Sequence, residues 1–268
     1  MMDQYRRAKS LHKDAVLFFR LGDFYEMFFD DAIEVSALLN LTLTHRQGEP
    51  MCGVPYHAAR SYVARLLKLG KKVAICEQLS EPGKGKGLVE RDVVEVITPG
   101  TALEEDFLDQ ASNNYLVALC AGNGASGALS EALSLAYVDI STAEFRAFSF
   151  PSADASAVEE RLRKELYRLS PRELIVQQSL LERPEISGCL EERPSLILNR
   201  LPDWSFDYSG AAEELKQRFG LATLKGLGFG DRAPELAAAC ALLRYVDEAA
   251  AARAVHLGPP LPYEAEDY

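Results

Sequence analysis

The run Ala15-Val16-Leu17-Phe18-Phe19-Arg20-Leu21-Gly22-Asp23-Phe24-Tyr25-Glu26-Met27-Phe28 sets strand against helix within a few residues. Ala15–Leu21 is apolar and rich in aromatic and branched side chains, which marks a strand, and Gly22 ends it. From Tyr25 to Leu39 the apolar positions Phe28, Ile33 and Leu38 return at helical spacing. A strand passing straight into a helix makes this part of the chain mixed α/β. Side chains at such a corner point outward more often than those inside either element. Phe24 and Glu26 are therefore candidate surface probes. They also have an ordinary reading, Phe24 as a hydrophobic staple and Glu26 as a first-turn acid favoured by the helix dipole.

Outward from this corner the pattern stays mixed. Met2–Lys13 is a polar helix and Leu41–Thr44 is short and β-prone. A loop holding Gly48, Pro50, Gly53 and Pro55 follows. His57–Leu69 is an amphipathic helix, with Ala58, Tyr62, Leu66 and Leu69 along one side and Gly70 as its stop. Val73–Leu79 and Val93–Thr98 are strands, the second closed by Pro99-Gly100. Glu81–Gly87 is a flexible basic loop, and Ala121–Ser130, rich in Gly, Ala and Ser, is a linker by composition. These place a first domain over 1–112 and a linker over 113–130. A second α/β domain spans 131–258, with strands at Leu133–Ile140, Glu144–Phe150 and Leu174–Val176. Its helices are expected at Ala155–Leu169, Ala211–Phe219 and Pro234–Ala252. The breaker cluster Gly258-Pro259-Pro260-Leu261-Pro262 suggests that residues 259–268 begin another domain.

The 268 residues are 48% hydrophobic and 26% charged, ordinary for a soluble globular protein. No apolar run is long enough to span a bilayer, and the polar start Met1–Lys9 is no signal peptide. Cys52, Cys76, Cys120, Cys189 and Cys240 are scattered and odd in number, which fits free thiols in a reducing compartment. The net charge of −11 argues against general nucleic-acid binding. Yet residues 1–20 carry a balance of +3 and residues 44–91 a balance of +5. A local basic surface inside an acidic chain is compatible with this, as is an unevenly charged solvated surface.

A duplex gives Phe24 and Glu26 a physical role. A Phe can enter a base step, stack and kink the helix, and unstacking costs less at a mispair. Such a wedge reads deformability, not sequence. A carboxylate near phosphates sacrifices general affinity, and gains discrimination where a base can hydrogen-bond with it. Arg46, Arg60, Lys68, Lys71, Lys84 and Lys86, with Arg65, Lys72 and Arg91, would form the positioning layer on the backbone. The stretch 83–87 is not a phosphate loop, since Gly87 is followed by Leu88-Val89 and no Walker A motif occurs. Asp139, at the end of Ala136-Tyr137-Val138-Asp139-Ile140-Ser141, has the strand-end position of a nuclease carboxylate, with Glu144 the nearest second acid. The carboxylate set is incomplete, and a turn-capping role competes. His12, His45, His57 and His256 lack metal-ligand spacing, and no Ser or Cys has a His partner for a triad.

Leu21-Gly22-Asp23-Phe24-Tyr25-Glu26-Met27-Phe28 resembles the signature of the MutS mismatch-binding domain. The resemblance continues through Pro50-Met51-Cys52-Gly53-Val54-Pro55-Tyr56-His57, Val73-Ala74-Ile75-Cys76-Glu77-Gln78, Val89-Glu90-Arg91 and Val96-Ile97-Thr98-Pro99-Gly100-Thr101. The second part resembles the family's connector domain more loosely. Its cues are Tyr137-Val138-Asp139-Ile140-Ser141-Thr142, Ser170-Pro171-Arg172-Glu173-Leu174 and Ala241-Leu242-Leu243-Arg244-Tyr245. The resemblance implies that Phe24 stacks at a mispair and Glu26 hydrogen-bonds the mispaired base. It implies an RNase H-like connector without nuclease activity, which contacts a MutL-type partner; the Ala211–Phe219 helix is the candidate surface. It also implies a homodimer, ATP and Mg²⁺ used by an ATPase outside this chain, and a cytoplasmic, nucleoid-associated bacterial setting. The chain itself is then a non-enzymatic fragment. Two other functions compete: a fragment that mainly docks protein partners, and a nuclease using Asp139. Relatives that act on recombination junctions lack the wedge, and the intact Phe24-Tyr25-Glu26 argues against that branch.

Overall fold

The computed structural model describes residues 1–79, 89–102, 113–121, 132–151, 154–230, 233–249 and 256–263. Lys84 and Lys86, with the basic loop 81–87 and residues 122–130, lie outside them. The chain divides into two compact units, the first mainly residues 1–110 and the second mainly residues 111–247.

The first unit runs α1 (Met2–Leu11), β1 (Ala15–Leu21), β2 (Phe24–Phe28), α2 (Phe29–Leu39), β3 (Thr44–Arg46), β4 (Glu49–Pro55), α3 (Ala59–Lys68), β5 (Lys72–Gln78) and β6 (Arg91–Ile97). Its sheet has the order β3-β4-β2-β1-β5-β6. β1 pairs antiparallel with β2 and parallel with β5. The continuous apolar run of β1 follows from burial on both faces. Val16 and Phe18 pack with Val35 of α2 and Leu66 of α3. Ala15, Leu17 and Phe19 pack with Tyr5 of α1 on the other face.

The corner after β1 is a hairpin, which corrects the expected strand-to-helix junction. Leu21 pairs with Phe24, so Gly22 and Asp23 alone make the turn. Gly22 has φ +59°, a left-handed conformation that glycine adopts without steric penalty. Phe24–Phe28 escapes detection as a strand because Phe28 is covered by α1 and Phe24, on the same face, is apolar although exposed. Apolar side chains then fall on both parities and hide the alternation.

The loop expected around Gly48–Pro55 is also corrected, to strand β4. Gln47 and Gly48 both have positive φ, 54° and 86°, and join Arg46 to Glu49 in a two-residue hairpin turn. The prolines fit because the ladder to β2 runs only from Met51 to Pro55, so Pro50 lies beyond it and Pro55 closes it. The β-prone Leu41–Thr44 starts three residues early, since the strand begins at Thr44. One buried carboxylate ties three elements together. Asp31 of α2 accepts from the Tyr5 hydroxyl at 3.0 Å, from Lys9 Nζ at 2.8 Å and from the Leu17 amide at 3.0 Å.

The second unit contains β7 (Tyr115–Ala121), β8 (Ala132–Asp139), β9 (Glu144–Pro151), α4 (Ala155–Leu169), β10 (Glu173–Gln177), α5 (Pro184–Glu191), β11 (Ile197–Leu201), α6 (Ala211–Phe219), α7 (Glu235–Ala249) and β12 (Leu261–Pro262). The sheet order is β11-β10-β7-β8-β9-β12. An antiparallel meander β7-β8-β9 is extended on the β7 side by parallel β10 and β11. This is an RNase H-like arrangement.

Two boundaries need correction here. The linker expected over 113–130 contains β7, all seven of whose residues are buried between β8 and β10. Residues 259–268 were expected to open another domain, yet Leu261–Pro262 pairs with β9. Tyr263 lies edge-on to Phe148, with ring centroids 5.3 Å apart. A proline-rich segment suits that position because an edge strand needs only one ladder.

Candidate nucleic-acid interface

β2 places Phe24 and Glu26 on the same face of the sheet, two residues apart. The flanking residues Tyr25 and Met27 turn into the opposite core. Phe28, on the Phe24 face, is covered by α1, but the cover does not reach Phe24. Phe24 is 46% exposed, so a large apolar ring stands in solvent just after a tight turn. That is the geometry a wedge requires.

Glu26 is not left to solvent. Its side chain is 13% exposed, and Arg46 on the edge strand β3 holds it. Nη1 of Arg46 donates to both carboxylate oxygens, at 2.9 and 2.6 Å. Strand β4 lies between them and offers Gly53 opposite Glu26. A Cβ at Gly53 would stand 3.5 Å from Glu26 Cγ and 3.3 Å from the Tyr25 carbonyl oxygen. The tighter of the two approaches is to the β2 backbone; the approach to Glu26 is an ordinary van der Waals contact.

Of the other residues at this end of the sheet, Arg91 was a candidate for the positioning layer, while Arg20 and Tyr56 were not singled out by spacing. Tyr56, half-exposed, follows Pro55, the strand partner of Phe24, and its amide donates to the Asp23 carbonyl at 2.9 Å. The Arg20 guanidinium stacks 3.9 Å from the centre of the Tyr56 ring and 5.5 Å from that of Tyr25. The Tyr25 hydroxyl donates to Glu77; burial first, then that carboxylate, push the phenol well above its ordinary range. Arg91 donates through Nε to the Arg20 carbonyl at 2.8 Å and lies over the Phe19 ring. The turn thus stands on a base of stacked cations and aromatics. The only sequence signal was the density of Arg, Tyr and Phe in the two blocks.

The basic candidates separate into two groups. Arg60 sits in the first turn of α3, four residues after Tyr56, and therefore at the Phe24 end. Lys68 and Lys71 do not. Lys72, which begins β5, pairs with Ala15 at the start of β1. Phe24 lies beyond the other end of that seven-residue strand, roughly 20 Å away. Lys71 is ion-paired with Glu34 and Lys72 with Asp14. The grouping around helix 57–69 is corrected accordingly: α3 runs antiparallel to β5 and carries its cations to opposite ends of the sheet.

In the second unit Asp139 ends β8, the second strand of the sheet and not the first. Its carboxylate accepts from the amides of Asn114 and Ser141, each at 2.9 Å, and from the Ser141 hydroxyl at 2.6 Å. It caps a turn. The first strand, β7, contains no carboxylate. Glu144 accepts from the Tyr115 hydroxyl at 2.8 Å. Among the described residues no group of three or more His, Cys, Asp or Glu is placed to hold a metal ion. No helix among them is long and apolar enough to cross a membrane.

Residues 1–106 match the family model of MutS domain I, and residues 114–258 match that of MutS domain II. The chain belongs to the MutS family. It is 49% identical, over its whole length, to the DNA mismatch repair protein MutS of Treponema denticola, of which it covers 30%. The MutS of Treponema pallidum (strain Nichols) is 42% identical over all of this chain and 29% of that protein. The MutS of Borreliella burgdorferi (strain ZS7) is 45% identical over 87% of this chain and 25% of that protein. The chain thus spans less than a third of the length of these curated relatives. A solved structure of T. thermophilus RuvC in complex with a Holliday junction substrate overlaps 48% of this chain and 89% of its own. At 13% identity and a TM-score of 0.33, that overlap is too slight to bear on function. Phe24 and Glu26 lie within the MutS domain I match, and Asp139 and α6 within that of domain II.

Proposed function

We propose that this chain is the mismatch-recognition module of a MutS-type repair protein. The observation that carries it is Phe24, half-exposed after a glycine turn, with Glu26 beside it on the same face. Phe24 enters the base step and stacks, and the energy of unstacking selects mispaired steps. Glu26 hydrogen-bonds the mispaired base. Arg60 is placed to hold the backbone near the wedge. Lys68 and Lys71 could reach phosphates only on a more distant part of the duplex. The second unit acts as a connector that relays binding to a MutL-type partner, with α6 as the contact surface. No catalysis is proposed for this chain, because Asp139 is spent on a turn and β7 supplies no partner acid. ATP and Mg²⁺ belong to an ATPase elsewhere in a longer, dimeric protein, in a cytoplasmic, nucleoid-associated setting.

The proposal is tested by titrating matched against G·T-mismatched duplex with a protein of the relatives' full length that carries this chain. The parent should prefer the mismatch and Phe24→Ala should abolish the preference. Equal binding of both duplexes by the parent would refute the proposal. Pull-down of a MutL-type protein, with charge reversals on α6, tests the relay separately.

A further inference from the structure

By its charge and position in the chain, Arg46 falls among the residues that would hold phosphates. The geometry gives it a different role. We propose that Arg46 is a positioning residue for Glu26, acting on discrimination through the acid and not through the DNA backbone. This inference rests on the proposed role of Glu26 and deepens it.

One nitrogen of Arg46 meets both oxygens of Glu26, at 2.9 and 2.6 Å, so the carboxylate is held at both oxygens. The acid is only 13% exposed and the guanidinium 43%. The partner that fixes Glu26 is therefore the more accessible of the two, on an edge strand whose three residues are all exposed. Gly53, opposite Glu26 on β4, brings no side chain against the acid. Three strands, β3, β4 and β2, thus converge on the orientation of one carboxylate.

This arrangement answers two difficulties of an acid at a DNA surface. The charge of Glu26 is offset by Arg46, which reduces repulsion from phosphates in every complex, matched or mismatched. The carboxylate also stays usable. Each oxygen has two acceptor positions, and Arg46 fills one on each, so a base N–H can be met without breaking the ion pair. A fixed acceptor discriminates better than a mobile one, because the wrong base cannot be accommodated by rotating the side chain away. A phosphate clamp would do none of this: it would strengthen all duplexes alike.

A double-mutant cycle in the full-length protein separates the two roles. Parent, Arg46→Ala, Glu26→Gln and the double variant are titrated with matched and G·T-mismatched duplexes, with Arg46→Lys as the conservative variant. Arg46→Ala should lower the mismatch-over-match affinity ratio by roughly tenfold. In the Glu26→Gln background the same change should leave the ratio nearly unaltered. Arg46→Lys should restore much of the ratio, since a single nitrogen makes both contacts, and the thermal midpoint should stay within a few degrees of the parent. If Arg46→Ala weakens both duplexes equally and additively with Glu26→Gln, Arg46 is a phosphate contact and the inference is overturned. If Glu26→Gln lowers the ratio while Arg46→Ala does not, only this inference fails. If Glu26→Gln leaves the ratio unchanged, the proposed role of Glu26 fails, and this inference with it.

Discussion

Phe24 stands in solvent while Tyr25, on the opposite face, and Phe28, on the same face beneath α1, are buried, so strand parity and the reach of α1 together decide which aromatic is a probe and which is core. Phe24→Ala removes exposed surface and should change unfolding free energy by no more than about 0.5 kcal/mol. It should nevertheless abolish the preference for mispaired duplex in the full-length protein. A large loss of stability would show instead that Phe24 is a structural residue. Gly53 makes the complementary case. Gly53→Ala places a Cβ 3.5 Å from Glu26 Cγ and 3.3 Å from the Tyr25 carbonyl oxygen. The fold should survive, but the β2 backbone at Tyr25 must give by a few tenths of an ångström, and the mismatch-over-match ratio should fall as Glu26 moves with it. An unchanged ratio would mean that this shift does not matter to the acid. The block Cys52-Gly53-Val54-Pro55 was legible as part of a family signature. Why it holds a glycine was not, because the neighbour that glycine accommodates lies on another strand.

At the scale of elements, helices were easier to read than strands. Ala155–Leu169 and Ala211–Phe219 coincide with α4 and α6, since each buries one stripe and ends in a left-handed residue, Ser170 and Gly220. α4 also starts on a side-chain cap. Asp154 accepts from the amides of Ser156 at 2.9 Å and Ala157 at 3.4 Å. Asp154→Ala should cost about 1 kcal/mol in denaturant unfolding. Asp154→Asn should recover most of it, and equal losses for both would point away from capping. The Asp31 network is a stronger joint. Asp31→Ala strands the Tyr5 hydroxyl, the Lys9 ammonium and the Leu17 amide in a nearly closed site. It should destabilise the first unit by about 3 kcal/mol, measured by urea unfolding; a loss below about 1 kcal/mol would show that water replaces the carboxylate. Strands β2, β4 and β7 were not legible. In β7 the sheet is buried on both sides, and in β2 the exposed Phe24 is itself apolar, which erases the period of two. In β4 the proline and glycine signals were real, but they marked a ladder end, a tight turn and a close packing contact instead of a loop.

For the whole molecule, burial of thiols and phenols sets the response to alkali. Burial pushes Cys52 up from its ordinary value near 9 to about 11, and Cys76 and Cys240 to about 12. Burial, with the Glu144 carboxylate, raises Tyr115 to about 12. The unfolded chain releases these protons first, so above pH 9 it binds fewer protons than the folded chain. Stability should therefore be unaffected by these groups below pH 9 and fall steadily between pH 9 and 12. Urea unfolding across that range, with proton counting, tests this; a flat profile would contradict it. The same burial should leave all five cysteines unreactive towards a thiol reagent at pH 8 until the chain unfolds.

The sequence alone determined the α/β class, the presence of two domains and the family, because composition, helical stripes and ordered motif blocks are local properties that survive without contacts. Phe24 and Glu26 were legible as candidates for the same reason. Only the tertiary structure decided that they sit on a strand and share a face, that Arg46 holds Glu26, and that Lys68 and Lys71 lie at the far end of the sheet. It also decided that Asp139 ends the second strand, not the first. Those facts depend on which strands pair and in what register, and the pairings of β4 with β2 and of β5 with β1 join residues far apart in the chain by hydrogen bonds that no local pattern records.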